Sequence, residues 1–216
     1  AKNFPSVAVV VDPSDYSWVA EKLAADGLSH EERRALAAKA FRHVSMYDAA
    51  VTGYLDVSSE DTAGLPETLT ISLNKTASLR YGENPHQLAS SYKIPGNTEP
   101  NILNAKFHQG KQLSYNNIMD ADGALACVRE FDETACGVVK HASPCGVAVG
   151  NNLLDVYKRA FNADSLSAFG GIIAFNRTCT KDVAEEISRG FVEIVLAPSF
   201  DSEALEIFKK KKNLRI

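Results

Sequence analysis

Apolar residues fall along this chain in two rhythms. Val7 to Val11 is an unbroken apolar run, the pattern of a strand buried on both faces of a parallel sheet. Asp12-Pro13-Ser14-Asp15 then supplies an N-cap, a proline at the first helical position and a carboxylate at N3. This predicts a helix running to about Asp26 and stopping at Gly27. Ser29-His30-Glu31-Glu32 is a capping box. It opens a long helix that carries Leu36, Ala40, Val44, Tyr47 and Val51 on one stripe, at spacings of three and four.

The rhythm breaks at Ser58 to Glu67, which is polar, contains Gly and Pro and has no period, as a linker would be. Beyond it Leu69 to Leu73 alternates like a half-buried strand, and Ser90 to Ile94 is a second candidate. From Asn117 onward the pattern predicts helices near 118–131, 151–162, 181–190 and 201–211, with strands near 135–140, 171–175 and 192–196. That alternation predicts an α/β layered domain with parallel strands. The expected organisation is a first region at 1–57, a linker at 58–68 and a second region at 69–216.

Composition narrows the class. Of 216 residues 45% are hydrophobic and 23% charged, enough apolar surface to fold without disulfides or metals. The net charge of −4 argues against nucleic acid or an anionic membrane as the main partner. The basic run Lys209 to Lys212 suits the C-terminal end of a helix. Cys127, Cys136, Cys145 and Cys179 form no C-x-x-C pair, which fits reduced cysteines of a cytoplasmic protein. Lys2-Asn3 runs almost directly into the first expected strand, and Leu214-Arg215-Ile216 looks like the start of another. Both ends therefore read as cuts through folded structure.

Three strings carry chemistry. Lys140-His141-Ala142-Ser143-Pro144 follows a strand-like run and precedes a helix start signal, the kind of junction where open α/β sheets hold ligands. An imidazole there takes a proton near neutrality, and the adjacent ammonium stabilises developing negative charge. The bland alternative is a surface lysine beside a hydrogen-bonded histidine. Arg80-Tyr81-Gly82 offers a guanidinium for phosphate, an aromatic face and a close backbone approach; with Asn84-Pro85 it is equally an ordinary turn. Ser167-Ala168-Phe169-Gly170-Gly171, just before an apolar run, lets a ligand lie on the backbone or is a turn with a core phenylalanine. Asn116-Asn117 either binds ligand amides or caps a helix.

A zinc deaminase needs H-x-E and P-C-x-x-C. Here His141 is followed by Ala142-Ser143, and Pro144-Cys145 by Gly146-Val147-Ala148. The Glu and the second Cys are both missing, so no zinc is expected.

Together these strings closely resemble the bifunctional purine biosynthesis family, in its bacterial form, that joins AICAR (phosphoribosylaminoimidazolecarboxamide) formyltransferase to IMP cyclohydrolase. The similarity covers nearly the whole chain. Lys2 to Val11 and Ala40 to Leu55 resemble the middle and last helix of the cyclohydrolase domain. Leu79 to Gln87, Gly110 to Asp122, Val138 to Val149 and Ser167 to Asn176 resemble the first half of the formyltransferase domain. Ala163-Asp164-Ser165-Leu166 departs from the family's Asp-Pro-Thr ahead of Ser167.

The resemblance implies a methylglyoxal-synthase-like cyclohydrolase part followed by a cytidine-deaminase-like α/β formyltransferase subdomain without zinc. It implies His141 as general base, Lys140 as its partner, and Lys2 in ring closure. Arg80, Tyr81, Gly82, Asn117, Phe169, Gly170 and Glu193 would contact the substrate nucleotide. It further implies 10-formyltetrahydrofolate as co-substrate, AICAR, formyl-AICAR and IMP as ligands, and a homodimer with sites at its interface. The expected reading is a central piece of this enzyme; the alternative is a non-catalytic nucleotide-binding or dimerisation module of the same fold.

Overall fold

A computed structural model describes residues 1–56 and 68–216, so most of the expected linker lies outside the described residues. The chain divides into two compact units, Ala1–Leu73 and Asn74–Ile216.

In the first unit, Asp12 caps a short turn at Pro13–Asp15 that leads into α1 (Tyr16–Ala24). Gly27 ends the segment with a left-handed φ of 79°, the conformation its place after a helix requires. The expected capping box forms. Ser29 N donates to Glu32 Oε2 at 2.7 Å and Glu32 N to Ser29 Oγ at 3.1 Å, opening α2 (His30–Asp56). Leu36 and Ala40 are buried, whereas Val44, Tyr47 and Val51 of the same stripe are exposed within the unit.

Val7 to Val11 is not the expected buried strand. Val7 is 43% exposed, and among the described residues the run joins no ladder. A strand must hand its N–H and C=O groups to a neighbour, and no other segment of this unit is a strand among the described residues. Ala8 and Val10 instead lean on a small cluster of Val19, Leu28 and Leu36.

The second unit contains a hairpin and a layered α/β body. The hairpin pairs β1 (Asn74–Leu79) with β2 (Ala89–Lys93), antiparallel. The strand expected at Leu69 to Leu73 is thus displaced: Leu69 and Ile71 are 71% and 67% exposed, outside any ladder. The partner decides the boundary, because β2 ends at Lys93 opposite Asn74.

The body follows as α3 (Tyr115–Arg129), β3 (Thr134–Lys140), β4 (Ser143–Gly150), α4 (Leu153–Ala163), α5 (Ser165–Ala168), β5 (Ile172–Phe175), α6 (Lys181–Ile187), β6 (Ile194–Leu196) and α7 (Ser202–Phe208). The strand order is β4-β3-β5-β6. Among the described strands only β5 and β6, joined through α6, pair in parallel; β3 pairs antiparallel with both β4 and β5. The expectation of parallel strands is corrected by connection length, since a two-residue link can only make a hairpin.

The helix expected to start at Ser143-Pro144 is also wrong: those residues open β4. Pro144 is tolerated because β4 is an edge strand. Alternating burial, with Gly146 and Ala148 inward and Val147 and Val149 outward, gives it a strand's period.

β3 and β5 are apolar and buried throughout their centres. One face of the sheet, with Cys136, Val138, Ile173 and Phe175, packs on α4, α6 and α7. The other, with Val139, Ile172, Ala174 and Ile194, packs on Ala121, Ala124 and Val128 of α3. Each fully buried Val, Ile or Phe contributes about 1.5–3 kcal/mol, so the sheet is a rigid platform for what stands at its edge.

Candidate functional site

Lys140 and His141 lie at the tip of the β3–β4 hairpin. Lys140 pairs with Ser143 and closes a two-residue turn made of His141 and Ala142. Both have left-handed φ, 55° and 57°, and among the described residues they are the only non-glycine ones that do. Two-residue hairpins of this hand favour Asn-Gly; His and Ala in that conformation cost on the order of 1–3 kcal/mol each. Such strain persists only where the surroundings hold it. Ala142 N donates to Asp120 Oδ1 of α3 at 2.8 Å, and Lys140 Nζ donates to the Phe169 carbonyl at 2.9 Å. His141 projects exposed from the turn.

The second string forms the adjoining wall. Asp164 caps α5 by accepting from Ser167 N at 3.0 Å, and the Ser167 hydroxyl together with that backbone bond holds its carboxyl below the usual range. Gly170 has φ 73° and donates to the Phe191 carbonyl at 2.9 Å. A Cβ there would sit 3.2 Å from the Phe191 ring. Phe169 is not a core residue: it is 61% exposed, its ring 5.4 Å from that of Phe191.

A polar cluster forms beside this wall. Asn117 is buried at N3 of α3, in a capping box with Ser114, so Ser114 rather than Asn117 is the cap. Its Nδ2 donates to Glu193 Oε2 at 2.9 Å. Arg215 Nη1 reaches the same oxygen at 3.5 Å, and its Nε donates to the Lys111 carbonyl at 3.0 Å. Burial pushes the Arg215 guanidinium below its ordinary range, opposed by Glu193 and reinforced by Arg80.

Arg80 itself is exposed, 5.5 Å over the Tyr81 ring. Gly82 is buried because its N–H bonds the Gln87 carbonyl at 2.8 Å, and a Cβ would meet Gln87 Cβ at 2.9 Å. The 82–87 turn is therefore real, and it leaves Arg80 and Tyr81 available.

The second unit thus gathers Lys140, His141, Phe169 and Gly170 into one group. Asn117 and Glu193 form another with Arg215, on which the Arg80 guanidinium also acts electrostatically. The groups are tied by Gly170–Phe191, by Glu193 N donating to the Gly171 carbonyl at 3.1 Å, and by α3, which carries both Asn117 and Asp120. Lys2 is in the first unit, exposed in the turn at its start.

Two residues that the motifs did not single out belong here. Asp120 falls one helical turn after Asn117, a spacing that puts both on one face. Arg215 lies in the segment read as a new strand, and it makes one parallel bridge with Ile194. None of the four cysteine thiols is shifted toward the thiolate. Burial raises the Cys145 thiol against the opposing Lys140 charge, and pushes Cys179 up to about 12. Among the described residues no three His, Cys, Asp or Glu side chains converge as a metal site, and no helix is long and apolar enough to cross a membrane.

The arrangement offers an exposed imidazole on an anchored turn, an anchored ammonium, an aromatic face and an amide–carboxylate–guanidinium set. It suits proton transfer beside a polar heterocycle that carries an anion.

Residues 1–216 match the family described as AICARFT/IMPCHase bienzyme. The chain is 50% identical over 217 residues to the bifunctional purine biosynthesis protein PurH of Bacillus cereus strain B4264, covering all of this chain and 42% of that protein. The corresponding protein of Bacillus anthracis strain CDC 684 / NRRL 3495 is 49% identical over the same extent. The chain therefore spans about two fifths of the length of the curated relatives it matches. With the Lys140–His141 turn and the Asn117–Glu193 pair both inside the matched region, the chain belongs to the AICARFT/IMPCHase bienzyme family.

Proposed function

We propose that this chain contributes to the last two steps of de novo purine biosynthesis: formyl transfer from 10-formyltetrahydrofolate to AICAR, then dehydrative closure to IMP. Residues 1–57 are part of the cyclohydrolase domain, 58–68 join it to the next, and 69–216 begin a zinc-free, cytidine-deaminase-like formyltransferase domain. The protein acts as a cytoplasmic homodimer.

His141 takes the proton that the 5-amino group of AICAR loses as its nitrogen attacks the formyl carbon. Such an amine, conjugated to a carboxamide-bearing imidazole, is a weak nucleophile and needs a base. Lys140, anchored by the Phe169 carbonyl, faces the charge that develops on the formyl oxygen. Collapse of the tetrahedral adduct breaks the bond to N10 of the folate, which leaves with a proton. Arg80, Tyr81, Gly82, Asn117, Phe169, Gly170 and Glu193 hold the nucleotide. Ring closure follows in the other domain with Lys2: the carboxamide nitrogen attacks the new formamide, and water departs.

The observation that carries this reading is the strained turn at His141–Ala142 beside an anchored lysine. The test is His141→Ala in the full-length protein. Formyl transfer should fall about 10²–10⁴-fold, with AICAR binding retained. Undiminished transfer would mean that His141 is not the base, whereas no transfer by the unsubstituted full-length protein would favour a non-catalytic nucleotide-binding module instead.

A further inference from the structure

We propose that Asp120 is a positioning residue that aims His141 by holding the hairpin turn in its left-handed conformation; this rests on the reading of His141 as general base. A two-residue turn of this hand is cheap for Asn-Gly and costly for His-Ala. The ladder bond between Lys140 and Ser143 closes the turn but leaves the Ala142 N–H pointing out of it. That N–H meets the Asp120 carboxylate at 2.8 Å. The carboxylate sits on a firm support: α3 is fixed by the Ser114–Asn117 capping box at its start and by Ala121, Ala124 and Val128 in the core.

The helix is also shaped for the turn. Gly123, three residues after Asp120, would place a Cβ 3.3 Å from the Ala142 carbonyl oxygen. A larger residue would therefore press on the turn. Asn117, Asp120 and Gly123 follow one another at three-residue steps along one face. The first grips Glu193 and the other two meet Ala142. Base and nucleotide contacts are thereby spaced by one rigid element, with about 4.5 Å of helix rise between Asn117 and Asp120. Asp120 acts through the Ala142 amide and does not itself meet the substrate.

The experiment is steady-state formyl transfer by the full-length protein carrying Asp120→Ala, Asp120→Asn and Asp120→Ala with Ala142→Gly. Misplacing the base should lower kcat about 10–100-fold in Asp120→Ala, with KM for AICAR within threefold and AICAR binding by calorimetry unchanged. Asp120→Asn keeps an acceptor oxygen for Ala142 N and should stay within about threefold of wild type. Ala142→Gly removes the steric cost of the left-handed φ and should restore about tenfold to Asp120→Ala. Wild-type kcat in Asp120→Ala, a raised KM at constant kcat, or Asp120→Asn as damaged as Asp120→Ala would each overturn the proposal. If His141→Ala is inactive while Asp120→Ala is not, only the positioning role fails. If His141→Ala is active, the base itself is wrongly assigned.

Discussion

The two units are held together by different forces. The first has a small buried cluster of Val19, Leu28 and Leu36, and around it a set of half-buried polar links. Lys39 bridges Asp12 at 2.5 Å and Asp15 at 2.8 Å, and its ammonium keeps the Asp12 carboxyl well below the usual range. Lys22 pairs with Glu32 at 2.8 Å, and Arg33 Nε donates to the Phe4 carbonyl at 3.2 Å. The second unit buries two clusters on either side of its four-stranded sheet, and the central strands β3 and β5 are apolar and buried through their centres. Exposed ion pairs contribute about 0–1 kcal/mol each, whereas buried side chains contribute several times that. Only a well-packed body can carry a turn as strained as His141–Ala142, and the strained residues are indeed in the second unit.

The largest expected effect tests whether the units are also chemically separate. In the full-length protein, Lys2→Ala should slow cyclisation of added formyl-AICAR by about 10²–10³-fold, the usual cost of removing one electrostatic contact to the reacting group. Formyl transfer should be unchanged. His141→Ala should give the converse. A variant that damages both activities equally would show that the two regions work as one and would break the comparison.

A smaller effect tests the packing. A Cβ at Gly146 would lie 2.0 Å from the Ala160 carbonyl oxygen and 2.9 Å from Ala163 Cβ, because α4 lies directly on β4 there. Gly146→Ala should destabilise the second unit by about 1–3 kcal/mol, seen as faster hydrogen exchange at the Gly137 to Val139 amides. The chain has a single tryptophan, Trp18, in the first unit, where its Nε1 donates to Asp15. Its fluorescence transition in urea should not move. Movement of both signals together would mean that the units unfold as one.

How much was legible follows the same division. Helix ends were readable in the first unit, because a cap is a local arrangement: Asp12, Gly27, Ser29 and Glu32 behave as their types dictate. What covers a face was not. The stripe Leu36–Val51 is apolar throughout, yet periodicity names a face and says nothing of its neighbour; its second half is open within the unit. The same limit displaced the strand at Leu69 and dissolved the one at Val7.

In the second unit the error at Ser143-Pro144 came from a signal with two meanings, since proline suits both a helix start and an edge strand. The alternation from Gly146 to Val149 would have decided it. The candidate site was legible as motifs, and Asn117 does meet Glu193 across 76 residues of chain. Asp120 and Arg215 were not, because each is recruited by a backbone group or a partner that only the folded chain supplies.

The smallest effect probes the first unit's dependence on charge. The Lys22 ammonium, aided by the Ser29 N–H, lowers the Glu32 carboxyl from 4.5 to about 2. A carboxyl depressed by folding stabilises the fold above its unfolded value and loses that contribution as pH falls through the folded one. The window is therefore pH 4.5 down to about 2. Glu32→Gln keeps an acceptor for Ser29 N, as a capping box allows, but cannot pair with Lys22. At neutral pH the wild-type Trp18 transition should lie slightly above that of Glu32→Gln, and the gap should close as the pH drops through that window. Added salt should also narrow it, since the pair is half-exposed. Hydrogen exchange at β3 should be the same in both proteins at every pH. A gap that persists unchanged at pH 2 would mean that the carboxylate's shape, and not its charge, holds the start of α2.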